Sequence, residues 1–169
     1  MLSRLTRLSL LIASSLLIAP CATAAPNRVT LAAEIDSLHA RIDESSYPLR
    51  FNPGRELYLF VQSAPASSYS DADIRLLGRE LFYYRDNLQY SDTASLRHYA
   101  AESLGYIGPR AIIVRADLQR ALMDEGCNDR QPAIVTVGTI PNVMRQIGIQ
   151  PQPIDCANFD GGLQPLAAR

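Results

Sequence analysis

Glu56-Leu57-Tyr58-Leu59-Phe60-Val61-Gln62 is the stretch on which the fold turns. Its interior is an unbroken apolar and aromatic run, so neither a period of two nor one of 3.6 stands out. A short run of this kind, rich in β-prone side chains, reads as a central strand covered on both faces. Two similar runs follow, residues 110–115 (RAIIVR) and 133–137 (AIVTV). Residues 149–156 (IQPQPIDC) carry two prolines and suit only an edge strand.

Helical patterns separate these runs. Residues 71–89 start at a capping box, Ser70-Asp71-Ala72-Asp73, and place Ile74, Leu77, Leu81, Tyr84 and Leu88 on one stripe. A helix over 92–104 ends at Gly105, and one over 117–125 ends at Gly126. Pro141 opens a short helix that Gly148 closes. Strands alternating with helices imply βαβ units. The expectation is therefore an α/β fold, a small three-layer sandwich. Its mainly parallel sheet has three or four strands, with helices on both faces. An amphipathic helix over 28–44, with Leu31, Ile35, Leu38 and Ile42 in one stripe, is added at the N-terminal side. The proline- and glycine-bearing residues 45–55 connect it to the first strand, and a Ser/Ala/Pro loop covers 63–70.

The first 24 residues read as a secretory signal peptide. Arg4 and Arg7 supply the positive end, residues 8–19 an apolar core, and Ala22-Thr23-Ala24 a small-x-small cleavage site. That core is shorter than the roughly 20 residues a membrane span needs. Cleavage after Ala24 takes 24 of the 169 residues and leaves 145, enough for one domain. Residues 25–157 form that α/β domain and 158–169 a loose tail. No transmembrane segment follows the signal, and the expected destination is the periplasm or the exterior.

Two of the 16 basic residues leave with the signal and all 17 acidic ones stay, so the mature net charge is −3. That argues against nucleic acid as a partner. Every basic residue is arginine, which excludes lysine-based nucleophiles and Schiff bases. Cys127 and Cys156, the cysteines left after cleavage, form an expected structural disulfide in an oxidising compartment. The redox C-x-x-C spacing is missing. Two thiols and two scattered histidines do not make a metal site.

No G-x-S-x-G elbow, P-loop, G-x-G-x-x-G fingerprint or H-E-x-x-H helix occurs. His39 and His98 read as surface histidines. The carboxylate pairs Glu34/Asp36, Asp43/Glu44, Asp71/Asp73 and Asp124/Glu125 read as solvated or capping groups. No catalytic residue and no cofactor is assigned.

Two surfaces are candidates for binding. Leu76, Phe82 and Tyr83 lie away from the core stripe of the 71–89 helix, beside Arg75 and Arg79, and make a partner face. The carboxyl ends of the expected strands collect Ser63, Ser67, Ser68, Arg115 and Thr139 into a hydroxyl-rich rim. The expected function is that of an exported, non-enzymatic accessory or inhibitor-like protein that binds another protein of the cell envelope. The alternative is an enzyme, or a carrier of a small ligand or anion, that uses the rim.

Overall fold

A computed structural model describes residues 29–45, 49, 51–83, 90–127 and 136–159. The sandwich is not there. Among the described residues six α-helices follow one another: α1 Leu31–Glu44, α2 Pro53–Gln62, α3 Asp71–Glu80, α4 Tyr90–Ile107, α5 Arg115–Cys127 and α6 Thr136–Gln146. Short 3-10 turns cover Ala66–Ser68, Gly108–Val114 and Cys156–Asn158. Among the described residues there is no strand.

The run at 56–62 fails as a strand because a stronger signal lies just before it. Asn52 accepts a hydrogen bond from the Arg55 amide at 2.8 Å and caps α2, and Pro53 takes the first helical position. The chain therefore enters Glu56 already helical. Leu57 and Val61, four apart, are buried, while Leu59 stands 52% exposed. In a strand Leu57, Leu59 and Val61 would share a face.

Of the expected strand at 110–115, residues 110–114 belong to the 3-10 turn that Gly108, with φ at +78°, begins, and Arg115 opens α5. Ala111 and Val114 are buried three residues apart, the period of that turn, and Ile112 faces outward. Of the expected strand at 133–137, residues 133–135 lie outside the described residues, and Thr136 and Val137 open α6. Pro141 thus sits inside α6 and not at its start. Residues 149–155 run without regular structure. Gly105 does not stop α4. It lets α6 approach, since a β-carbon there would meet Gln146 and Val143 at 3.1 and 3.3 Å.

The helical readings fare better. Leu31, Ile35, Leu38 and Ile42 are all buried, so the α1 stripe is the face that packs on α2 and α3. The capping box before α3 has both halves: Asp73 N donates to Ser70 Oγ at 3.2 Å, and Ser70 N to Asp73 Oδ2 at 2.8 Å. α3 then stops at Glu80, and residues 84–89, with Tyr84 and Leu88, lie outside the described residues. The signal segment and residues 160–169 lie outside them too.

α4 is the central element and packs against α2, α3 and α6. Its crossing with α2 is close. Gly54 lies so near α4 that an added β-carbon would fall on the Ser95 carbonyl and beside the Tyr99 ring. Ser95 Oγ also donates to Asn52 Oδ1 at 2.6 Å, joining α4 to the cap of α2. At the other end of α2, Tyr69 Oη donates to the Val61 carbonyl at 2.7 Å and Tyr106 Oη to that of Ala64 at 2.8 Å. These phenols satisfy carbonyls that a helix end leaves open.

Gly54→Ala should lower stability by about 1–3 kcal/mol through that clash. Gly138→Ala, with open space around its β-carbon on a helix, should be neutral or stabilising by up to about 1 kcal/mol. Urea midpoints of the two variants check both, and equal midpoints would contradict the close crossing.

Candidate functional site

The sequence presents Asp124 and Glu125 as a solvated pair, but both are buried, 3% and 5% exposed. They face Arg97 of α4, itself 4% exposed. Arg97 Nη2 lies 3.2 Å from Asp124 Oδ2 and 2.6 Å from Glu125 Oε1. Its Nε donates to the Leu81 carbonyl at 2.8 Å. The guanidinium thus joins the end of α3, α4 and α5. Burial pushes the Asp124 carboxyl above its ordinary value, against the pull of Arg97. The cluster ties helices together and offers no route to solvent chemistry.

The histidines also make structural contacts. His39 and Glu80 share a 2.8 Å hydrogen bond, and Glu80 is buried. The His39 ring stacks on Tyr83 with centroids 4.5 Å apart, joining α1 to the end of α3. His98 Nδ1 and Thr139 Oγ1 lie 3.1 Å apart and join α4 to α6. Both histidines are half-buried, which corrects the surface reading.

The partner face changes in composition. Tyr83, 6% exposed, belongs to the core. Leu76 and Phe82 are partly buried against that core, while Arg75 and Arg79 are exposed. Sequence reasoning missed Arg120 of α5, whose guanidinium lies 5.2 Å from the Phe82 ring centroid. Asp117 sits near both Arg120 and Arg75, and burial raises its carboxyl above the ordinary value against their pull. A helical count from α5 could not have found Arg120, because the contact joins residues of two elements far apart in the sequence.

The rim loses its basis with the sheet. Ser63 caps α2 and donates to the Phe60 carbonyl, and Ser67 and Ser68 lie in the following 3-10 turn. Thr139 is on α6, bonded to His98, and Arg115 opens α5. Of the five rim residues, Arg115 alone lines the open groove of about 450 Å³ between α5, α6 and the segment after Gly148.

Cys127 and Cys156 form a disulfide with Cα atoms 5.2 Å apart. The bridge holds the irregular segment 148–156 against α5. Among the described residues, no cluster of three or more His, Cys, Asp or Glu side chains could hold a metal ion. No protein-family model, curated protein or solved structure matches this chain.

Arg97→Met should cost about 3–5 kcal/mol, because it strands two buried carboxylates. Asp124→Asn keeps an acceptor for Arg97 and removes a charge. The folded state raises the Asp124 pKa, so the wild type loses stability as pH climbs from the ordinary carboxylate value through the raised one. Unfolding curves between acid and neutral pH should therefore show the Asn variant gaining on the wild type as pH rises. A constant difference would contradict this.

Proposed function

We propose that this is an exported, non-enzymatic accessory protein that binds an acidic partner protein of the cell envelope through the α3–α5 face. The observation that carries the reading is the placement of three exposed arginines around partly buried apolar side chains. Arg75 and Arg79 lie one helical turn apart on α3, and Phe82 follows one turn later. Arg120 reaches Phe82 from α5. Among the described residues Arg79 and Arg120 have no ion pair within 4 Å; Asp117 lies near Arg75 and Arg120, and the buried Asp124 also acts on Arg120.

A cationic face attracts acidic surfaces. Arginine beside apolar surface is also the composition that interfaces favour. Support for export comes from the three-part leader at residues 1–24 and from the cysteine pair. Among the described residues, no helix is long and apolar enough to cross a membrane.

Intact mass of the exported form should begin at Ala25, and a soluble form that retains residues 1–24 would sink the export reading. In pull-downs from envelope extract, the protein should hold an acidic partner that about 0.5 M salt releases. The double variant Arg75→Glu, Arg79→Glu should lose that partner, while Arg145→Glu on α6 keeps it. Equal capture by both variants would overturn the assignment of the face.

A further inference from the structure

The groove beside α5 has a built wall. Residues 148–156 form a strap fixed at four points. Gly148, with φ at +86°, ends α6, and Ile149 N donates to the Met144 carbonyl at 2.7 Å. The Gln119 carboxamide takes the Gln152 amide at 2.9 Å and faces its carbonyl at 3.5 Å. Ile154 lies directly over Gly126, and Cys156 is bridged to Cys127. Pro151 and Pro153 restrict the backbone between these points. A wall held this way needs little ordering on binding, which favours affinity.

The lining combines three chemistries. Ile112 and Ile149 provide apolar surface, with Ile112 46% exposed at the edge, and the buried Met144 backs the groove. Gln150 and Gln152 provide amides, and Gln119 already pairs with an extended peptide unit, the one at Gln152. Arg115 provides the charge. It is exposed and has no carboxylate within 4 Å among the described residues. It stands where the 3-10 turn Gly108–Val114 passes without a break into α5. A cation so placed is complementary to an anion from outside.

We infer that this groove binds the free C-terminal end of a partner polypeptide, with an apolar last side chain on Ile112 and Ile149 and the terminal carboxylate on Arg115. The glutamines then read the preceding backbone, as Gln119 reads the strap. The volume of about 450 Å³ falls within the range of ligand sites. The inference does not depend on the α3–α5 face, which uses other residues.

Fluorescence anisotropy tests it with a dye-labelled alanine hexapeptide that ends in leucine. The free-acid peptide should bind the purified protein, and the C-terminal amide should bind at least about tenfold more weakly. Arg115→Gln should show the same loss for the free acid, while Arg145→Gln on α6 should leave binding unchanged. Reduction of the Cys127–Cys156 bridge should also weaken binding, by loosening the wall. Absence of free-acid binding up to about 1 mM, equal binding of acid and amide, or an unaffected Arg115→Gln variant would each overturn the inference. Displacement of the peptide by hexanoate at equal concentration would assign the groove to small carboxylates and overturn it too.

Discussion

The Arg97 guanidinium has its acceptors on two other parts of the fold, the carbonyl at the end of α3 and the two carboxylates of α5. Apolar side chains of similar volume tolerate small shifts between helices. A buried charge does not, because losing an acceptor leaves it neither solvated nor paired. The ends of α3 and α5 are thereby fixed relative to α4. The face made by Arg75, Arg79, Phe82 and Arg120 lies across the same two helices. The groove wall is anchored to α5 as well, at Gln119, Gly126 and Cys127. Both proposed surfaces thus depend on where one buried cation places α5.

The helical part of the fold was legible wherever an apolar stripe coincided with a cap. Ser70 with Asp73 marks a helix start and Gly148 an end, whereas the start of α1 at Leu31, capped by Thr30, falls three residues after the expected one. Errors came from short apolar runs, where strand and buried helix share a composition. At 56–62 the deciding residues, Asn52 and Pro53, lie outside the run and were taken as connector. At 110–115 two isoleucines outweighed the spacing of Ala111 and Val114. Gly105 misled for a different reason: its role is to admit a neighbouring helix, and sequence alone does not show a neighbour.

The surfaces were partly legible. Arg75, Arg79 and Arg115 were singled out from sequence and remain exposed. Tyr83 was misplaced because its burial depends on His39, more than 40 residues away on another helix. The burial of Asp124 and Glu125 was hidden in the same way, since adjacent acids near a helix end look solvated until a distant arginine is placed over them. The cysteine pair needed only its count and its spacing, and the bridge lies where that reading put it.

The strap has a further consequence, for local opening. Beyond Gly148 only Ile149 and Pro151 are partly covered up to residue 153, and Ile154 is 41% exposed. Little apolar surface therefore resists its detachment, and the covalent link does most of the holding. Once that link is cut, the lowest-energy excursion of the molecule should be release of this segment alone, with the helices intact. Amide exchange would then quicken at Ile149 and Gln152, whose protons are bonded to Met144 and Gln119, and stay slow in the centre of α4. The domain would behave as two cooperative units of unequal stability joined by one sulfur–sulfur bond.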